Sequence, residues 1–470
     1  MYNHTRQYRC IIIRGKSQRE LDNLLPAYAI VIDDICPCSK EAFDGLFNSA
    51  FAKLLHGKNA DAQALKKTLD NHRTEIAGKL FGMYYISEDD MVFASERTKK
   101  FISDNDQPAF FKDVCFKMQF PNGMNKIQTL QPYLDLRISL RQFPFIVKCL
   151  KLASEQKLAL TVNDIGYYIL NALDVLQGNA TPEEVVTQIL ADKKIGVERR
   201  IVVPGKESSY TMQHIREQLN YLELANLIYI TDDKRVLLNY REETCLKLFI
   251  DQCGKSPEFD MYSYNTMIQK ERDQLYFDWG VYYSQLSSVA SHFKTDVSAL
   301  VVAEKASEKK ETPASSSGST VELGDEGEQF VFDYEKKRVA SFNPRLAGKV
   351  LPLGRTKGLG YDIQSVIAEP GDMAEFVKYI EVKATKRVTA PDINDASWID
   401  TINITRNEWV AAIQHKEFYS IYRVYFVRDG VVAFIMNNIY QKERDGKVTV
   451  VPMMYRVDFA NTAIDAVMGG

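Results

Sequence analysis

Gly358-Leu359-Gly360-Tyr361-Asp362-Ile363, followed by Tyr379-Ile380-Glu381-Val382-Lys383-Ala384-Thr385, decides how this chain reads. Successive side chains of a strand point to opposite faces. As a strand, the second segment sets Glu381, Lys383 and Thr385 on one face and Ile380, Val382 and Ala384 on the other. The first alternates likewise, Asp362 and Gln364 against Tyr361, Ile363 and Ser365, and its glycines let the backbone turn or approach a ligand closely. Between them Glu369-Pro370-Gly371-Asp372 reads as a turn, which makes the strands neighbours. Paired in this way, they bring Asp362 to Glu381 and Lys383.

Two carboxylates at a strand rim suit a hard divalent cation such as magnesium, which takes oxygen ligands and keeps waters for reaction. A lysine beside the ion can serve the attacking water and offset charge developing on a phosphate. Spacing alone decides nothing, because Glu-x-Lys also occurs at Glu308-Lys309-Lys310 and Glu335-Lys336-Lys337, in charged surroundings. Context separates the candidate from these: apolar flanks, a preceding acid, and a helix beginning Thr405-Arg406-Asn407-Glu408-Trp409, where Thr405 and Glu408 form a capping box. The plain structural alternative is an exposed sheet face decorated by Glu381 and Lys383.

These blocks, with Gly327-Glu328 opening a helix through Tyr334-Glu335 and with Tyr422-Arg423-Val424-Tyr425-Phe426-Val427, resemble the nuclease-like domain family DUF3883, a branch of the PD-(D/E)xK restriction-endonuclease superfamily. The likeness runs from about Gly324 to Tyr455. It implies a mixed sheet flanked by helices, with Asp362 and Glu381 as metal ligands, Lys383 as the catalytic lysine and Glu328 as an accessory acid. Magnesium is the expected cofactor. Arg355, Lys357, Lys386, Arg387 and Arg406 flank the acids and are the candidates for holding DNA phosphates.

At 470 residues the chain exceeds one ordinary core, and the expectation is an α/β multidomain protein. A hydrophobic content of 45% places it among folded proteins. The net charge of -3 marks no basic body, so DNA contact would rest on local patches. No run of about 18 apolar residues appears and no secretory leader is evident, which points to the cytoplasm. Seven cysteines, an odd number with only Cys36 and Cys38 close together, suit free thiols better than a disulfide frame or a zinc ribbon.

Glu304 to Thr320 lacks any large apolar residue and reads as a tether. The expected organisation is an N-terminal α+β region over 1–150, a winged-helix-like region over 151–300, a linker over 301–322 and the nuclease-like domain over 323–470. Cys10-Ile11-Ile12-Ile13-Arg14 and Ala29-Ile30-Val31-Ile32 read as buried strands, and Glu41 to Leu55 as a helix. Thr181-Pro182-Glu183-Glu184 starts another helix. Met212 to Leu227 is a third, followed by Ile228-Tyr229-Ile230, a turn at Asp232-Asp233 and Val236-Leu237-Leu238. Helices followed by a two-stranded wing resemble a winged helix, with Lys193, Lys194, Arg199, Arg200, His214, Arg216 and Lys234 as candidate DNA contacts.

A second candidate surface interleaves Lys112, Lys117, Lys126, Arg137 and Arg141 with Phe110, Phe111, Phe116, Phe120 and Tyr133, though such aromatics more often form core. Scattered histidines, and the lack of a nucleophile elbow or a phosphate-binding loop, make other catalytic schemes fare worse, and no built-in ATP-driven motor is expected. The sequence therefore reads as a magnesium-dependent DNA endonuclease of a bacterial restriction or anti-phage system. Double-stranded DNA, a second copy of the chain and a methyltransferase are the partners open to it. A non-catalytic DNA-binding or sensor subunit is the alternative.

Overall fold

Ser17 accepts the Glu20 backbone N–H, and Glu20 returns the bond, so a capping box opens α1 (Gln18–Ile35). Leu21, Leu25, Tyr28 and Ile32 are buried along it at helical spacing. This periodicity overrides the β-branched run Ala29–Ile32, which is helix and not the expected strand. Cys10–Ile13 forms no strand either; instead the Tyr8 and Cys10 N–H groups donate to the carbonyls of Asn171 and Leu170.

The computed structural model describes the chain apart from Met1, Arg14 and residues 53–61, 202–205, 301–322, 355–358, 368–375, 396–397, 452–455 and 469–470. The expected tether and the turn at 369–372 lie outside the described residues. Two compact units emerge, one built from residues up to Leu21 and from Ala27–Ala299, the other mainly from residues beyond 308. The expected divisions 1–150 and 151–300 both fall in the first unit, and 323–470 in the second.

In the first unit, α1 leads to β1 (Cys38–Ser39), α2 (Lys40–Ala52), α3 (Ala62–Asp70, continued to Leu80 by a π-helical segment), β2 (Tyr84–Ile86) and β3 (Met91–Ala94). Phe43, Phe47 and Phe51 bury the apolar stripe of α2, with the Phe51 ring tilted against Tyr28 at 5.0 Å between centroids. After α4 (Gln107–Lys117) the chain forms α5 (Gln142–Glu155), β4 (Leu160–Thr161), α6 (Pro182–Lys194), α7 (Lys206–Leu224), β5 (Ile228–Ile230) and β6 (Arg235–Leu238). Thr181 and Glu184 cap α6 reciprocally. Both three-stranded sheets carry the same order, β1-β3-β2 and β4-β6-β5, so a helix-strand-helices-hairpin arrangement recurs. The unit continues through α8 (Gln269–Ser284).

The second unit begins with α9 (Leu323–Phe342) and continues through β7 (Leu351–Pro352), β8 (Ile363–Ile367), β9 (Phe376–Lys386), β10 (Asp400–Asn403), α10 (Arg406–His415), β11 (Tyr419–Val427) and β12 (Gly430–Asn437). It ends with β13 (Val448–Val451), β14 (Arg456–Phe459) and β15 (Ala466–Met468). A six-stranded mixed sheet has the order β15-β12-β11-β9-β8-β7. Its β9 and β11 run parallel while β8 and β9 are antiparallel. One face packs on α9, where a Cβ at Gly327 would come 2.6 Å from the Cβ of Ala384, so this close crossing requires glycine. The other face buries Trp409, Tyr419, Ile421 and Tyr425 with α10. Among the described residues no helix is long and apolar enough to cross a membrane.

Candidate functional site

The β8–β9 register pairs Ile363 with Ile380, and the next step sets Asp362 opposite Glu381. Asp362 is fixed through its backbone, since its N–H donates to the Ile380 carbonyl at 2.9 Å. Its Oδ2 accepts the Val382 N–H at 2.8 Å. Gly360 makes this approach feasible: its φ is +77°, and a Cβ there would lie 2.6 Å from the Asn407 carbonyl oxygen at the start of α10. The Tyr419 hydroxyl donates to the Gly360 carbonyl at 3.0 Å and closes the loop over the sheet.

Glu381 and Lys383 share the face turned toward α10, and Lys383 Nζ lies 2.6 Å from Glu381 Oε1. Burial pushes the Asp362 carboxyl upward, against the opposing pull of the Val382 N–H and Lys383. Glu381 is held well above the usual carboxylate range by burial, opposed by Lys383 and reinforced by Asp362 and Glu408. For Lys383, burial favours the neutral amine, but Glu381 and Glu408 more than offset it and keep the ammonium charged. The face is therefore not the open, wet surface of the plain structural alternative. Its Glu381 side chain is only 4% exposed.

Glu408 completes the cluster, with Oε2 2.8 Å from Lys383 Nζ. The sequence identified this residue only as half of a capping box, which it also is: Thr405 N–H donates to Oε2 at 3.0 Å. Glu328 lies elsewhere, beside Gly354 in the loop before β8. Its helix packs on the Val382 and Ala384 face, opposite to Glu381 and Lys383. Among the described residues no three His, Cys, Asp or Glu side chains are grouped to hold a metal.

Of the candidate phosphate contacts, Arg355 and Lys357 lie outside the described residues. Lys386 is buried and paired with Glu326 at 3.0 Å. Arg387 is also buried, with its guanidinium 4.6 Å from the Tyr425 ring centre. Neither presents its cation at the surface. Arg406 is exposed on the first turn of α10. His415 stacks 3.8 Å from Tyr379 as a packing residue.

In the first unit, the surface expected around Lys112 turns inward. Lys112 pairs with Glu242 at 2.8 Å and donates to Thr295 Oγ1 at 2.9 Å. Lys117 donates to the carbonyls of Tyr282 and Gln285, and burial pushes its ammonium down to about 8. Arg141 and His214 are buried too, as are Phe110, Phe111, Phe116, Phe120 and Tyr133. These cations satisfy interior carbonyls and carboxylates that α4 and its neighbours would otherwise bury unpaired. Lys126 and Arg137 remain exposed. A groove of about 1270 Å³, undetected in the sequence, runs past Tyr84, Tyr85, Lys126, Lys270, Trp279 and Gly280.

The comparisons divide the chain in two. Residues 2–280 match the family model described as restriction endonuclease BpuJI, N-terminal, and residues 327–436 match that described as protein NO VEIN, C-terminal. No curated protein matches. A solved structure of the BpuJ1 endonuclease binding domain, in complex with pyrene- and phenanthrene-modified DNA, is similar at 50% identity with a TM-score of 0.58. The match covers 61% of this chain and 100% of that one. With more than half of its length matched, the chain belongs to the family of the restriction endonuclease BpuJI N-terminal domain.

Proposed function

We propose that this protein is a restriction or anti-phage defence endonuclease whose first unit binds double-stranded DNA and whose second unit cuts it. The observation that carries the cutting role is the convergence of Asp362, Glu381 and Lys383, with Lys383 Nζ 2.6 Å from Glu381. The binding role is supported by the likeness of the first unit to a domain solved with DNA. Its two hairpin sheets of like order support a winged-helix-like reading. The second unit is read as a PD-(D/E)xK domain of the DUF3883 kind. A cytoplasmic location, a second copy for double-strand cleavage and a methyltransferase partner belong to the same proposal.

Two facing carboxylates, both pushed upward by burial, form an all-oxygen donor set whose negative charge Lys383 offsets only in part. That fits magnesium, which takes one or two carboxylates and completes its shell with water and substrate phosphate, not with a cage of protein ligands. Asp362 and Glu381 would hold it, and it would supply Lewis acidity and an activated water. Lys383 offsets negative charge on the phosphate and orients the water. Tyr419 and Gly360 keep the Asp362 loop seated, and Arg406 lies exposed nearby on α10 for a backbone phosphate.

A non-catalytic DNA-binding or sensor subunit is the second reading, favoured by the engagement of Lys383 with two carboxylates. Incubation with modified and unmodified plasmid or phage DNA, in magnesium or chelator, separates the two. Fragments that need magnesium and vanish in Lys383→Ala support the nuclease. DNA binding with intact DNA under every condition supports the sensor.

A further inference from the structure

A helix cap needs only that the residue at the third helical position reach back to the N-cap N–H. Glu408 does this, yet its carboxylate is 14% exposed and the same Oε2 also takes the Lys383 ammonium at 2.8 Å. Two further carboxylates belong to the same cluster: Glu381, 2.6 Å from the same ammonium, and Asp362, opposite Glu381 on the neighbouring strand. Adding a third acid beside the buried Glu381 and the half-buried Asp362 costs electrostatic energy that an ordinary cap in solvent would not incur. Lysine is a flexible point charge on a four-carbon stem, so it keeps one position only when its donors are held. Of its three N–H donors, Glu381 and Glu408 account for two.

We infer that Glu408 is a positioning residue for the proposed cleavage, anchoring Lys383 to the rigid first turn of α10 so that the ammonium stays in place when the oxygens of Glu381 turn to a cation. The inference rests on the nuclease reading. It assigns Glu408 no contact with DNA or metal, and the remaining Lys383 donor is the one for phosphate or water. The capping box thus does two jobs: Thr405 and Glu408 close the helix start, and the closed helix start holds the lysine.

The test compares the full-length wild type with Glu408→Gln, Lys383→Met and the double variant, in single-turnover and steady-state cleavage of plasmid DNA with magnesium. Glutamine retains an oxygen for the Thr405 N–H but removes the charge. Glu408→Gln should lower kcat by about ten- to a hundredfold, as loss of a residue orienting a site ligand typically does. Its KM for DNA should stay within about twofold, and its melting temperature within about 2 °C, because a cap that is kept costs little. The double variant should be no slower than Lys383→Met alone, since Glu408 acts only through the lysine. Wild-type kcat in Glu408→Gln, or losses that multiply in the double variant, would overturn the role while leaving the nuclease intact. A wild-type chain inert on every DNA tested removes the cleavage reading, and this role with it.

Discussion

Glu335 and Asp362, carboxylates on the two faces of the six-stranded sheet, are shifted in opposite directions by their surroundings. Glu335 is fully buried on the α9 side, where it accepts from Arg338 at 2.7 Å, Ser365 at 2.6 Å and Tyr422 at 2.7 Å. Burial alone would raise it, but Arg338, Lys378 and Ser365 hold it below the usual range. A depressed carboxyl stabilises the fold fully above its unfolded pKa of about 4.3, and that stability is lost as pH falls through the lower folded value. Glu335→Gln should therefore melt well below wild type at pH 7, by about 3–5 kcal/mol for a broken buried pair, and the gap should narrow in melts at progressively lower pH. Asp362 is raised, so its ionisation opposes folding above the unfolded pKa of about 3.9. In chelator at neutral pH, Asp362→Asn should melt at or above wild type, and in magnesium it should lose cleavage; a clear drop in melting temperature would contradict a carboxylate whose ionisation burial opposes more than the Val382 N–H and Lys383 favour it. Asp362, Glu381 and Lys383 were legible because strand alternation and spacing put them on one face. Glu408 was not, because a complete local explanation as a cap hid its second contact. The Glu335-Lys336-Lys337 match reads as charged surface in sequence, yet Glu335 is interior, since only the fold brings Ser365 and Tyr422 to it.

Between residue and molecule, the loop that carries Asp362 depends on one backbone conformation. Gly360 at φ +77° lies against the Asn407 carbonyl, so a methyl group there meets both conformational strain and backbone that cannot step aside. Gly360→Ala should cost about 1–3 kcal/mol in chemical denaturation and reduce cleavage by displacing Asp362; unchanged stability would show that the loop tolerates a side chain. The same contact explains why the Gly-Leu-Gly-Tyr-Asp block and the Thr-x-x-Glu helix start read as parts of one site: they touch. Elements with a cap, a helical period or a turn between apolar runs were legible from sequence, among them α2 by its period, α6 and α10 by their caps, and the β5–β6 hairpin by its turn. Ala29–Ile32 was misread because four β-branched or small apolar residues mimic a buried strand, whereas the buried positions Leu21, Leu25, Tyr28 and Ile32 recur at helical spacing. Pro26 inside α1 further disguised the helix.

At the scale of the whole molecule, a net charge of -3 gives no hint of a DNA partner, and Lys112, Lys117 and Arg141 of the aromatic-interleaved set are consumed inside the first unit. The groove is a further candidate, its walls drawn from separated stretches that include Lys40, residues 74–82, the β2 hairpin, residues 123–128 and α8. Because no single run contains it, no periodicity or composition window could reveal it. Lys126 and Lys270 are exposed there, beside Tyr84, Tyr85 and Trp279. Ammonium groups along an aromatic-walled groove suit a phosphate backbone, and each neutralised phosphate contributes about 0.9 to the slope of log affinity against log salt. Lys40 and Lys79 line the same groove but are paired with Asp90 at 3.6 Å and Glu75 at 2.7 Å, so they should contribute less. If the groove is the DNA interface of this unit, Lys126→Ala with Lys270→Ala should weaken binding to every duplex sequence alike and reduce the salt slope by about 2, read by fluorescence anisotropy between about 50 and 200 mM salt. The ends of any cleavage products should stay the same, since phosphate contacts hold register without reading bases. An unchanged affinity and slope would move the interface off this groove, and the exposed cations around the second hairpin, Arg216 and Lys234, would then be the residues to replace.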